Sequence, residues 1–351
     1  MTELMKAARW HGPQKLEIEL VPVPQVLPGS ALIKVEACAV CGSDIRIFRE
    51  GNPRISPPRI IGHEVSGQVV AVGQGVTRIK PGDRIAVGAD VPCGECDHCL
   101  NGRGNCCDTN FAIGYQFDGG YAQYLRLDPV VVEHGPISLI RTDISFDAAA
   151  LAEPLACCIN GYEVALARPG CSVAVFGAGP IGLMLGLLGQ GRYQASQVLI
   201  VEPSEARRAQ AESLGLRTID PGAVDPVTAI IDATAGRGAD VLFTACPAVE
   251  THEQAIAAVA KRGVVNLFGG LAKSARPITF LSNHLHYREA YVTGSHGSTP
   301  AHHREALELI ESGSIDAARL VTRTIKLDDL AEGLEIARSG TEIKVIVRPN
   351  A

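Results

Sequence analysis

Ser172–Phe176 (SVAVF) runs directly into GAGPIG at Gly177–Gly182, and an apolar stretch follows from Leu183. The glycine pattern alone is a weak signal. Its setting, a strand before and a helix after, is what constrains the fold to a dinucleotide-binding (Rossmann) unit. Gly177 permits the tight turn, Gly179 lets the backbone approach a pyrophosphate, and Gly182 lets the helix pack closely on the strand. Pro180 suits the first helical turn, where its missing N–H would be unpaired anyway. Together with Ile181 these residues form the expected phosphate cradle, at a helix start whose free N–H groups and positive end favour anions.

The same rhythm continues downstream. QVLIV precedes PSEARRAQAESLG, DVLFTA precedes THEQAIAAVAKRG, and VVNLFGG closes the series. Strands alternating with helical stretches predict an α/β fold with a doubly wound parallel sheet. Glu202 stands twenty residues past Gly182, at the end of QVLIV. A carboxylate there accepts hydrogen bonds from the adenosine ribose and repels a 2′-phosphate, which favours NAD over NADP. Two readings stand for Arg207 and Arg208: solvated helix-surface arginines, or groups that soften this repulsion.

A chain of 351 residues is too long for one core and suits two domains. Its first ~125 residues read as β-rich, with short runs such as ALIKVE (31–36) and GQVVAV (67–72) between Gly, Pro and Asp. Residues 145–167 turn helical, and the tail from about Tyr291 carries one amphipathic helix (HREALELIESG) and a last strand (KVIVRP). A net charge of −6 without a basic run argues against nucleic acid. No apolar run reaches the ~20 residues that span a bilayer, and the N-terminus lacks the apolar core of a signal peptide. A cytoplasmic protein without a membrane partner is expected.

Seven of the eleven cysteines lie between Cys38 and Cys107. Cys93, Cys96, Cys99 and Cys107 form C-x2-C-x2-C-x7-C, a spacing that surrounds one structural Zn²⁺ with four thiolates and leaves no open position. Cys106 competes with Cys107 for the fourth place, and His98 lies inside the cluster. Elsewhere, Cys41 sits in CGSD, His63 and Glu64 in GHE, and Glu153 in ALAEPLAC. A thiolate, an imidazole and a carboxylate with one position open make a catalytic zinc. Glu153 is notable alone, because a carboxylate in a helix of Ala, Leu and Cys needs a cation or a proton.

CGSD, GHE, the cysteine lobe, AEP and GAGPIG, in that order over essentially the whole chain, resemble the zinc-containing medium-chain dehydrogenases. The nearest branch is that of sorbitol (polyol) and threonine dehydrogenases. The resemblance implies a GroES-like catalytic domain at 1–150, a Rossmann domain at 151–290 and a return to the catalytic domain at 291–351. It prefers Cys107 as the fourth structural ligand. It assigns Cys41 and His63 to the catalytic zinc, with Glu64 and Glu153 as the two acidic positions; one acid or a water completes the shell. Ser43 matches the hydroxyl that bonds the substrate oxygen, and Asp44 matches the carboxylate that orients the ligand histidine. Relatives often carry a relay histidine where this chain has Arg46, which cannot act as a base, so the proton must leave through the cofactor ribose, His296 or water. The resemblance also implies a homo-oligomer, dimer or tetramer, with Ala290–Gly294 pairing across a dimer axis.

The expected reaction is oxidation of an alcohol to its carbonyl, with hydride transfer to NAD and Zn²⁺ lowering the pKa of the alcohol. Phe268, Gly269 and Gly270 are expected near the nicotinamide. His296 reads either as a cleft residue or as an ordinary loop histidine. Gln116 and Asp118, in AIGYQFDGG, are candidates for bonding substrate hydroxyls, which favours a polyol or cyclitol. Threonine, butanediol or a sugar phosphate are the alternatives, the last because Arg46 suits an anion. A catalytically silent NAD-binding protein is the non-enzyme reading, and the intact Cys41, His63 and acids argue against it.

Overall fold

A computed structural model describes residues 3–351 and divides the chain into two compact units, one running up to Cys157 together with Gly297–Ala351, the other Cys158–His296. The second unit holds a six-stranded parallel sheet. Its order is Arg217–Ile219, Gln197–Val201, Ser172–Phe176, Ala239–Thr244, Val259–Leu267, Tyr291–Gly294. In chain order this is 3-2-1-4-5-6, the doubly wound arrangement, whose direction reverses between Ser172–Phe176 and Ala239–Thr244. All five residues of Ser172–Phe176 are buried, as a strand covered on both faces requires.

Three expectations change. THEQAIAAVAKRG is not helical throughout: the helix is Val249–Ala257, and Val259–Leu267 is already strand. Ala258 ends the helix and its carbonyl accepts from Ala239 N, while Arg262 at φ 59° allows a bulge that shifts the register between Ala239 and Val241. The second unit also extends past 290, because Tyr291–Gly294 pairs in parallel with Val264–Leu267 as the sixth strand. The first division falls inside the helix Ala152–Val164 rather than at 150.

In the first unit, the main sheet runs Ile137–Leu139, Arg84–Val87, Glu64–Val72, Ala31–Ala39, Lys344–Arg348, Val321–Lys326, and Tyr124–Leu127 also pairs with Ala31–Ala39. The C-terminal strand is therefore an interior member, with Ile346 opposite Ala39 and Val347 opposite Cys38. Ile33, Val35, Val65, Leu125, Val345 and Val347 form the centre of its core, each contributing about 1.5–3 kcal/mol through burial. Among the described residues no helix is long and apolar enough to cross a membrane.

Candidate active site

The helix Gly42–Glu50 begins at Cys41, whose backbone is extended and whose N–H donates to Asp44 Oδ2 at 3.1 Å. That cap places Cys41, Ser43 and Asp44 within one turn. Glu64 opens the neighbouring strand, opposite Ala39, so His63 and Glu64 arrive beside Cys41 from across the sheet. Ligand atoms of Cys41, His63 and Glu64 all lie within 4.8 Å of one another. Glu153 falls outside this group. Burial, reinforced by Glu64 and Asp90 against the opposing pull of His63 and Lys344, pushes its carboxyl up to about 8, so it carries a proton at neutral pH. Cys157 donates to it at 3.7 Å.

Asp44 is wholly buried. Its Oδ1 lies 3.4 Å from His63 Nδ1, and its Oδ2 accepts from the Tyr121 hydroxyl at 2.8 Å. Burial opposes the charge on Asp44, but His63, the Cys41 N–H and Tyr121 outweigh it and hold the carboxyl below the usual carboxylate range. With Nδ1 turned to Asp44, His63 Nε2 faces Ser43 Oγ at 3.4 Å. A carboxylate behind the ring is how metal-bound histidines are ordinarily oriented. The thiol, imidazole and carboxylate fit a zinc ion with an open fourth position.

Sequence reasoning missed three residues around this cluster. Lys344 is buried, and its Nζ lies 2.6 and 2.7 Å from the two Glu64 carboxylate oxygens. Tyr121 secures Asp44. Arg54 stacks over the Tyr115 ring, its Cζ 5.3 Å from the ring centre. A lysine opening an apolar strand was the one available signal for Lys344. Nothing in the chain order marked the other two.

Gln116 and Asp118 do not serve as free hydroxyl-binding groups. Gln116 Oε1 accepts from Ala112 N at 3.0 Å and its Nε2 donates to Arg54 O at 3.1 Å. Asp118 pairs with Arg59 at 3.1 Å. Both are spent on holding the loop 110–118 against residues 54–60. The ring centre of Tyr115, which precedes Gln116, is 6.1 Å from that of His63.

In the cysteine lobe, Cys93–Cys99, Cys96–Cys99 and Cys96–Cys107 sulfur pairs lie 3.8, 3.4 and 3.9 Å apart. Four sulfurs at ~2.3 Å from one zinc stand about 3.8 Å apart in a tetrahedron, so the cluster fits a closed zinc site. Cys106 is exposed and outside it. Burial works against the Cys107 thiolate, but backbone N–H groups of Asn110, Cys93 and Thr109 overcome this and bring the thiol down to about 6.

In the second unit, Gly177 adopts φ 107° and a Cβ there would meet Ala245 O at 3.1 Å. A Cβ on Gly182 would run into the Gly177 carbonyl, whereas Gly179 faces open space at the start of the helix Pro180–Gln190. Ile181 sits in the first turn of that helix. Glu202 is buried; its Oε2 accepts from Ala178 N at 2.8 Å and its Oε1 from Ser204 N at 2.9 Å. Arg207 lies in the first turn of the helix Glu205–Ser213, capped by Ser204. Arg208 is committed to the Glu202 and Pro203 carbonyls and to Asp220 at 2.9 Å. Phe268 packs on Gly161, and Gly269 N donates to Thr244 O at 2.6 Å, so both stand at the end of the central strands; Gly270 is open. His296 is exposed, and its carbonyl accepts from Asn160.

Comparison with known proteins agrees with this architecture. Residues 27–136 match the alcohol dehydrogenase GroES-like domain, and residues 180–312 match the zinc-binding dehydrogenase domain. L-threonine 3-dehydrogenase of Thermococcus kodakarensis is 34% identical, over 100% of this chain and 98% of its own. Sorbitol dehydrogenase of Bacillus subtilis is 30% identical, over 99% and 98%. A zinc-binding dehydrogenase structure from Sinorhizobium meliloti 1021, bound to NADP, superposes with a TM-score of 0.92 at 32% identity, over 99% of this chain and 100% of that one. The chain belongs to the zinc-containing medium-chain dehydrogenases, in the branch that holds the threonine and sorbitol dehydrogenases.

Proposed function

We propose that the protein oxidises a secondary alcohol to the ketone, passes the hydride to NAD, and runs the reverse reduction when the ketone is supplied. The observation that carries this reading is the convergence of Cys41, His63 and Glu64 within 4.8 Å, with the Ser43 hydroxyl 3.4 Å from the imidazole. Zinc held by these three side chains supplies a Lewis acid that makes the substrate hydroxyl more acidic. Ser43 accepts the hydroxyl proton, and Asp44 keeps the His63 ring in place. Cys93, Cys96, Cys99 and Cys107 hold the second zinc, which braces the loop.

On the cofactor side, Gly179 leaves room for the pyrophosphate, the helix from Pro180 meets it, and Phe268–Gly270 face the nicotinamide end. Glu202 favours NAD, since Arg208 is committed to carbonyls and Asp220 and does not neutralise a 2′-phosphate. The likeness to sorbitol dehydrogenase supports a polyol or cyclitol, and that to threonine dehydrogenase supports an amino acid. A homo-oligomer is supported by the edge strand Tyr291–Gly294 and by the exposed Leu281 and Tyr287 in the segment that precedes it, 81% and 76% accessible.

The test is NADH formation over a panel of polyols, cyclitols, threonine, 2,3-butanediol and sugar phosphates, repeated with NADP and with Cys41→Ser. Turnover of one secondary alcohol, lost in Cys41→Ser, is the expected result. Zinc-loaded protein that binds NADH yet turns over nothing in the panel favours the silent cofactor-binding reading.

A further inference from the structure

Arg54 is placed as part of a built site. Its backbone N–H donates to Asn52 Oδ1 at 2.9 Å, its carbonyl accepts from Gln116 Nε2 at 3.1 Å, and its Nη2 donates to the Asn110 carbonyl. Its Cζ lies over the Tyr115 ring, 5.3 Å from the ring centre. The Tyr115 ring centre in turn stands 6.1 Å from that of His63, whose Nε2 is 3.4 Å from Ser43 Oγ. A line of contacts therefore runs from His63, along the Tyr115 ring, to a fixed cation. Arg54 is exposed and has no carboxylate partner among the described residues. Its neighbour Arg59 is neutralised by Asp118, so the contrast is local.

Nη2 is spent on the Asn110 carbonyl, and the other N–H groups along the guanidinium edge are left to meet a ligand. The edge is the part that forks onto a carboxylate or phosphate. A substrate hydroxyl at Ser43 leaves the rest of a short carbon chain over Tyr115, within reach of that edge. We propose that Arg54 is the specificity-determining residue of the substrate site, and that the substrate is a secondary alcohol carrying a carboxylate or phosphate a few bonds from the carbinol. This rests on the proposed alcohol oxidation and narrows it. Gln116 acts here as a positioning residue, since its amide ties the Arg54 backbone to the loop.

The test uses three probes that share a carbon skeleton: glycerol, glycerate and sn-glycerol 3-phosphate. Each is titrated calorimetrically into the zinc-loaded holoenzyme with NADH bound. Charge-assisted hydrogen bonds of the usual strength correspond to a preference of about ten- to a hundred-fold for the anionic probe over glycerol. The carboxylate and phosphate arms decide which anion is read. Arg54→Gln is expected to abolish the preference with NADH affinity unchanged, Arg54→Lys to retain part of it, and Arg46→Gln to leave it intact. Equal binding of all three probes, including no detectable binding of any, overturns the proposal, as does a preference that survives Arg54→Gln or disappears in Arg46→Gln. If neutral secondary alcohols are turned over as well as anionic ones, the anion reading falls while the dehydrogenase reading stands.

Discussion

Lys344 and Glu64, 280 positions apart in the chain, form a buried ion pair with Nζ 2.7 Å from Oε1. Lys344 is 3% exposed and Glu64 0%. Nζ also donates to the Val40 carbonyl at 3.0 Å, so the ammonium is held on both sides. A metal ion at Cys41 and His63 therefore meets a carboxylate that already has a cation.

Replacing Lys344 by Met strands a buried carboxylate, a change that costs about 3–5 kcal/mol. The loss is expected in full in the zinc-free protein and reduced when zinc is present, because the ion takes over the neutralising role. Chemical denaturation of both forms, each against wild type, measures the difference. Equal destabilisation with and without zinc would show that Glu64 does not touch the metal.

The adjacent Cys106 and Cys107 separate the structural zinc from a mere cluster of thiols. Cys107→Ser is expected to remove one zinc per chain and lower the thermal midpoint, while Cys106→Ser, at an exposed thiol outside the cluster, leaves both unchanged. Metal analysis after gel filtration is the measurement.

Glu202 has two jobs that a mutation can split. Glu202→Ala is expected to raise the NADP:NAD ratio of kcat/KM by about ten-fold, which corresponds to roughly 1.4 kcal/mol of relieved like-charge repulsion. Overall activity falls as well, since Ala178 N and Ser204 N lose their acceptor. Glu202→Gln, which keeps one acceptor oxygen, retains more activity than Ala. A strong NADP preference in the wild type would remove the basis for this prediction.

His303, on the helix Pro300–Glu311, is fully buried with Nδ1 2.9 Å from Ser138 Oγ. Burial alone brings it down from the usual imidazole value of 6.5 to about 3. The unfolded chain therefore binds the proton more readily. Its contribution is present above pH 6.5 and is lost as pH falls through 6.5 towards about 3. At pH 4.5 the loss is about 3 kcal/mol. His303→Gln, which keeps a partner for Ser138, is expected to flatten the fall in urea-measured stability between pH 7 and 4.5 by roughly that amount. An unchanged slope would show that the ring is not held neutral.

What could be read from residue order is what is local in the chain. SVAVF–GAGPIG requires a strand, a turn and a helix within a dozen positions; Gly177 takes a positive φ, Gly179 faces open space, and a Cβ on Gly182 would meet the Gly177 carbonyl. Four cysteines within fifteen positions close on themselves, because short loops bring their sulfurs together whatever the rest of the fold does. Cys41 and Asp44 share one helical turn for the same reason. The helix–strand boundary near Ala258 is not legible in the sequence, because an Ala-rich segment favours helix locally while pairing with Ala239–Thr244 decides for strand.

The rest was decided by strand adjacency and packing. Lys344 reaches Glu64 because the last strand inserts beside Ala31–Ala39. Gln116 and Asp118, polar and well placed in sequence to meet substrate, are instead consumed by Ala112, Arg54 and Arg59. Arg54 owes its position over Tyr115 to those same bonds. A side chain's local neighbours show which bonds it can make, but only the folded chain determines which partners are close enough to satisfy it first, since a buried polar group takes the nearest available partner.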